Sequence, residues 1–210
     1  MKIIYDFGAH NGNDIPYYLT KADKVVAVEA NPELANKLRE RFKDDPRVVI
    51  IECAIVADDQ KVVVFYIHND DVRSGVDPKE DLDNYKMVKI PAQNAAEIIK
   101  THGNPYFIKI DVEFIDHFIL ECLLKNNIKP PYISVEMHNI DVFCLLVSLG
   151  KYNKFKLVEG EKVPTEYPAF EAHSAGPFGE DVNGEWLDRN QFFELISKTG
   201  LGWRDIHASL

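Results

Sequence analysis

Four short apolar runs in this chain each stop on an acid: Lys2–Tyr5 on Asp6, Lys24–Val28 on Glu29, Tyr106–Ile110 on Asp111 and Tyr132–Val135 on Glu136. Their β-branched and aromatic residues favour a pleated, buried strand, and the runs are too short for a helix. Val48–Cys53 is a fifth run of the same kind. Between the runs lie stretches with helical spacing: about Asp14 to Leu19, then Asn31-Pro32 as N-cap and first helical residue of a helix through Phe42, then Ala92 to Thr101 and Phe114 to Asn126. Apolar strands alternating with helices predict an α/β fold, a mostly parallel sheet with helices on both faces. In such a sheet the ligand crevice opens at the carboxyl ends of the strands, where these acids fall.

The first strand end is the most informative. After Asp6 the chain reads Phe7-Gly8-Ala9-His10-Asn11-Gly12-Asn13, two spaced glycines in a strand-to-helix turn. Glycine tolerates positive φ and lets backbone N–H groups approach a ligand with no Cβ in the way. A dinucleotide fingerprint would place glycines at 8, 10 and 13, but His10 and Asn13 stand at two of those positions, and no Gly-Lys-Ser/Thr triplet follows Gly12 as a P-loop requires. Asp6 would repel a pyrophosphate and welcome a cation. Glu29, at the tip of the next strand, can accept hydrogen bonds from both hydroxyls of a ribose. A ribose, a positive charge and no phosphate together describe S-adenosylmethionine.

Composition limits the remaining classes. The 210 residues, 46% hydrophobic and 28% charged, suit one globular domain over 1–210, and no window nears the ~20 uninterrupted apolar residues that span a bilayer. The formal net charge of −10 argues against a broad nucleic-acid surface. The expected partner is a small-molecule or sugar-like acceptor, with no nucleic acid and no membrane. Because the chain opens on a strand and not on a basic-then-apolar leader, a cytoplasmic location is expected. Cys53, Cys122 and Cys144 stand far apart, form no CxxC pair and are expected as buried, reduced thiols.

Lys61 to Ile67 alternates like an edge strand, His68 to Lys86 reads as loop with turns at Ser74-Gly75 and Asp77-Pro78, and Met87 to Pro91 as a short strand. Asp141 caps a helix through Leu149 that Gly150 closes, and Phe155–Val158 and Trp203–Ala208 are further strands. Asp188 with Gln191 predicts a capping box for a helix that Gly200 stops. The stretch 159–186 mixes glycines, prolines and acids without periodicity, and a loop of that length reads as a lid over the site.

Three segments together, Asp6-Phe7-Gly8-Ala9-His10-Asn11-Gly12, Val28-Glu29-Ala30-Asn31-Pro32 and Ile108-Lys109-Ile110-Asp111-Val112-Glu113, resemble the FkbM family of methyltransferases over about Ile3 to His138. The resemblance implies a Rossmann-like class I methyltransferase domain, a sheet ordered 3-2-1-4-5 with an antiparallel pair at one edge, and O-methylation of a hydroxyl, often on a sugar or natural product. Phe114 stands where the family usually has glycine after Asp-Val-Glu. Many class I enzymes carry a leading helix over the cofactor; here the lid or a partner is expected to close that side. Asp6, Gly8, Ala9, His10, Asn11, Gly12 and Asn13 form the expected cofactor loop, with Glu29, Ala30, Ala54 and Asp111 completing the set.

Methyl transfer to a hydroxyl needs alignment and a base. Asp111, Glu113 and His138 converge at two adjacent strand ends and are the catalytic candidates, with His138 favoured because an imidazole titrates near neutrality. The resemblance suggests that Asp111 equally suits the methionyl amine. Asp111, Glu113, Glu136 and His138 also have the composition of a magnesium or manganese site, although no resident metal is expected. A cofactor-binding sensor or assembly protein without turnover is the alternative function, and a nicotinamide enzyme on the same sheet a third.

Overall fold

The computed structural model describes residues 1–70, 73–77 and 82–210. Period-two alternation divides the central strands between two apolar layers. In β1 (Ile3–Phe7), Ile3, Tyr5 and Phe7 point to one face and Ile4 to the other; in β2 (Lys24–Glu29), Val26 and Val28 join the first layer, Val25 and Ala27 the second. Ile15 and Tyr18 of α1 (Ile15–Lys21) and Leu38 of α2 (Pro32–Phe42) cover the second face. The first is covered by α3 (Ala95–His102), α4 (Asp116–Lys125) and α5 (Asp141–Leu145). Strands buried on both sides are the arrangement that uniformly apolar runs require.

β3 (Val48–Glu52), β7 (Phe107–Ile110) and β8 (Tyr132–Glu136) complete the parallel part, and β9 (Lys154–Glu159) and β10 (Arg204–Ser209) form the edge. The strand order is β3-β2-β1-β7-β8-β10-β9, with β10 antiparallel to both its neighbours. With β7 and β8 as fourth and fifth parallel strands, this is the Rossmann-like 3-2-1-4-5 order with an antiparallel edge. From β1 the chain steps outward to β2 and β3 and later returns to β7 on the other side of β1, so the turn after β1 lies at the point where the strand order reverses, the position at which such sheets bind ligands.

Several local expectations are corrected. β4 (Ala54–Val56), β5 (Val62–His68) and β6 (Tyr85–Asn94) form a separate sheet in the order β4-β6-β5. The helix expected from Ala92 begins at Ala95, because Ala92 to Asn94 pair with β4 and the Asn94 side chain accepts from the Ala96 and Glu97 N–H groups as the N-cap. The helix expected from Phe114 begins at Asp116, since Glu113 and Phe114 take left-handed φ of 60° and 65°. α5 passes into a π-turn over Leu146–Gly150, and Lys151 at φ 63°, not Gly150, supplies the left-handed closing residue. Cys53 and Cys122 are buried, but Cys144 is exposed. The turn expected at Asp77-Pro78 lies partly outside the described residues.

The capping box of α7 (Arg189–Thr199) forms as the sequence predicts, between Asp188 and Gln191. In the stretch 159–186, α6 (Val163–Glu166) and two 3₁₀ turns interrupt the irregular chain. Phe178 in this stretch stacks on Phe107 at 4.0 Å and joins the layer of α1. No helix among the described residues is long and apolar enough to cross a membrane.

Candidate functional site

The turn after β1 is held by its own backbone. The Gly8 and Ala9 N–H groups both donate to Val28 O at 3.0 Å, which folds the chain back over β2. Gly8 has φ 83°, and a Cβ there would lie 1.7 Å from Asp111 O, so only glycine permits this contact between the turn and the end of β7. Glu29 completes the turn: one carboxylate oxygen accepts from the His10 N–H at 2.7 Å and the other from the Asn31 N–H at 2.8 Å. Burial pushes Glu29 up to about 7, against these two bonds, which favour its ionised form.

Beneath the turn lies Lys109, only 5% exposed although it is a lysine in an apolar strand. Its ammonium donates to Gly8 O at 2.9 Å and stands 3.1 Å from Asp111 Oδ2 and 3.6 Å from Asp6 Oδ1. Burial would lower its pKa, but Asp111, Asp6, Asp14 and Asp205 raise it further, and the group stays charged. Asp6 is pushed up to about 7 by burial, with Lys109 pulling the other way. Asp14 is held by the Ser174 hydroxyl and by the Ala175 N–H at 3.0 Å, which ties the stretch 159–186 to the start of α1.

A cleft of about 440 Å³ opens over this turn. Its walls are apolar on one side, with Leu34, Ile55, Phe65 and Val76, and acidic on the other, with Asp111, Glu113 and Glu136. His173 and Trp203 stack at 5.5 Å and close one end.

At the acidic side, Glu113 at the β7 end and Glu136 and His138 at the β8 end meet. His138 Nδ1 bonds Asp116 Oδ2 at 3.2 Å, and Asp116, 1% exposed, also accepts from the Val112 N–H at 2.7 Å. His138 Nε2 then faces Glu136 Oε2 at 3.5 Å and Glu113 Oε2 at 3.8 Å. Burial raises the pKa of both Glu113 and Glu136, and the neighbouring carboxylates add to the rise. Burial also acts on Asp111, but Lys109 and a hydrogen bond with Glu136 more than offset it and hold Asp111 below the ordinary range.

The expected residues are brought together unevenly. Gly8, Ala9, His10, Asn11, Asn13, Glu29, Ala30, Ala54 and Asp111 line the cleft, as does Glu113. Asp6 lies beneath the turn against Lys109, and Gly12 packs toward α2, where a Cβ would stand 2.5 Å from Leu38 Cδ2. His138 stands one layer behind Glu113, with its ring 4.7 Å from that of Phe114. The sequence reading missed Lys109, Asp14, Asp116 and the apolar wall. Lys109 alone left a signal, a single cation in an otherwise apolar strand; the wall joins Leu34 of α2 to Ile55 of β4 and Phe65 of β5, strands of a separate sheet that was not foreseen.

The methyltransferase FkbM domain model matches residues 6–144. No curated protein sequence matches the chain. Solved structures with related architecture include an rRNA methylase from Streptococcus thermophilus, with TM-score 0.46, 11% identity and coverage of 99% of this chain and 86% of that one. A precorrin-6y C5,15-methyltransferase from Geobacter metallireducens has TM-score 0.45 and 10% identity, covering 100% of this chain and 79% of that one. A spermidine synthase from Thermotoga maritima has TM-score 0.45 and 11% identity over 99% of this chain, which spans 52% of the synthase's length. The family match runs through the turn after β1, Glu29 and the acidic ends of β7 and β8, and the chain therefore belongs to the FkbM methyltransferase family.

Proposed function

We propose that the cleft binds S-adenosylmethionine and that the chain methylates a hydroxyl group of a small-molecule or sugar-like acceptor in the cytoplasm, with residues 159–186 as the lid of a single domain. The observation that carries this reading is Glu29. Each of its oxygens is oriented by one backbone N–H and keeps a further lone pair for a ribose hydroxyl. Leu34, Ile55 and Phe65 suit the flat apolar face of an adenine. The carboxylates of Asp14, Glu29, Asp111, Glu113 and Glu136 outnumber the cleft's cations Lys109 and Arg73, which suits a ligand with an ammonium and a sulfonium and opposes a phosphate-bearing one.

When bound, the cofactor supplies an electrophilic methyl group on sulfur. Gly8 brings the turn against β7 so that the ribose side and the methionyl side of the ligand share one wall. Asp111, kept ionised by Lys109, receives the methionyl ammonium. Glu113 meets the acceptor hydroxyl at the cleft wall, and the Glu113–His138–Asp116 group takes its proton, with Asp116 fixing the imidazole through Nδ1. Negative charge across the cleft favours uncharged acceptors over nucleic acid.

The test is transfer of a labelled methyl group to a panel of hydroxyl-bearing and amine-bearing acceptors, with product identified by mass spectrometry. Label on oxygen supports the proposal. Label on nitrogen overturns the acceptor class, and cofactor binding without transfer to any acceptor favours the sensor reading.

A further inference from the structure

We propose that Glu113, Glu136 and His138 bind a divalent cation, magnesium or manganese, at the junction of the β7 and β8 ends. One ligand atom from each of the three lies within 4.8 Å of the others. For metal–oxygen bonds of about 2.1 Å, octahedral ligands stand roughly 3 Å apart when adjacent and 4.2 Å when opposite. The separations of 3.5 Å from His138 Nε2 to Glu136 Oε2 and 3.8 Å to Glu113 Oε2 fall inside that range. Small side-chain shifts suffice to close the shell around an ion.

Two observations separate this cluster from an ordinary group of acids. Glu136 is 7% exposed and its Oε2, turned toward the imidazole, has no hydrogen-bond donor. A buried carboxylate oxygen without a donor is costly, and a cation supplies the missing partner. The second is Asp116. It accepts at His138 Nδ1, which leaves the Nε2 lone pair directed at the two glutamates. A carboxylate behind a histidine in this way is the outer partner that orients metal-bound imidazoles. Asp116 is itself fixed by the Val112 N–H, so its position does not depend on the ion.

Two carboxylates and one imidazole suit a hard or borderline ion and leave positions open for water or acceptor oxygen. The role of the ion rests on the methyl-transfer reading. With the ion in place, Glu113 and His138 would serve as its ligands in place of acting as the proton acceptor, and the ion would lower the pKa of an acceptor hydroxyl at an open position so that its proton is lost to water. The ion site itself does not rest on that reading, because its ligands are set by β7, β8 and α4.

The experiment is titration of the full chain with Mn2+ in the absence of cofactor, by calorimetry and by pulsed electron paramagnetic resonance, alongside S-adenosylhomocysteine binding. One Mn2+ site per chain with nitrogen coupling from a directly bound imidazole is expected. Asp116→Asn should weaken it roughly 10- to 100-fold, and Glu136→Gln should weaken it at least as much. Circular dichroism and thermal melting show whether each variant is folded, and the nitrogen coupling in the wild type answers the question even if neither variant folds. No Mn2+ binding at millimolar concentration, binding without nitrogen coupling, or equal affinity in folded variants would overturn the site. Mn2+ binding with no S-adenosylhomocysteine binding would keep the site and sink the methyl-transfer reading.

Discussion

The two halves of the cleft handle negative charge in opposite ways. At the ends of β1 and β2, both Glu29 oxygens receive backbone N–H groups, Asp14 has Ser174 and Ala175, and Asp6, whose Oδ1 has no hydrogen-bond donor, has the Lys109 ammonium 3.6 Å away. At the ends of β7 and β8, Glu113 and Glu136 share one imidazole that is already committed to Asp116, and Glu136 keeps an oxygen without a donor. In the first half each of these carboxylates has backbone or hydroxyl donors or a buried cation beside it. In the second, Arg73 and Lys109 offset part of the charge on Glu113 and Asp111, while Glu136 Oε2 stays without a donor, and a bound positive group supplies the missing partner. Preformed hydrogen bonding suits recognition of a cofactor's neutral hydroxyls, whereas uncompensated charge suits the place where a proton or cation is handled.

The comparison is most severely tested at Lys109. Lys109→Met should leave buried Asp6 and half-exposed Asp111 without their cation and destabilise the protein by about 2–4 kcal/mol, measured by denaturant unfolding at pH 7.5. A loss below about 1 kcal/mol would show that the first half is not charge-balanced by this residue. Glu29→Gln comes next. The amide can accept from only one of the His10 and Asn31 N–H groups and turns a donor toward the other, so S-adenosylhomocysteine affinity should fall by about 1.5–3 kcal/mol, roughly 10- to 150-fold, in calorimetry.

The pH response has a definite sign. Asp6 and Glu29 have folded pKa values raised to about 7 from 3.8 and 4.5, so each binds its proton more tightly when folded. Their contribution to stability is full below the unfolded values and is lost as pH rises through 7, at about 1.4 kcal/mol per unit between the two values. The melting temperature should fall from pH 5 to pH 8, and Asp6→Asn should flatten that fall. A melting temperature that rises across this window in the wild type would contradict the burial account. The smallest effect is expected at Phe114, whose φ of 65° costs a non-glycine residue energy. Phe114→Gly relieves that strain but loses the ring contact with His138 and loosens the unfolded chain, so the net change should stay within about 1 kcal/mol by thermal melting.

The strands and the cofactor turn were legible because their signals are local: β-branched runs of period two, and glycines placed where the backbone must turn. Residues 92–94 carry no strong strand signal of their own, and their pairing with β4 comes from outside the segment. Neither Glu113 nor Phe114 announces positive φ by residue type, and the one indirect signal of the left-handed turn was the glycine usual in the family at 114. The acids and His138 were recognisable as a group, but their depth was not. Whether His138 lines the cleft or stands behind Glu113 depends on where α4 starts and on Asp116, and the late start of α4 follows from the unforeseen left-handed turn. Lys109 was visible as a cation in an apolar strand and only the packing of Asp6 and Asp111 around it assigns its task.

Calorimetry with S-adenosylhomocysteine on the full chain tests the account most directly. One site per chain is predicted, with binding weakened in Glu29→Ala and in Asp6→Ala variants that remain folded. No heat with the wild-type protein, or binding indifferent to Glu29, would contradict it.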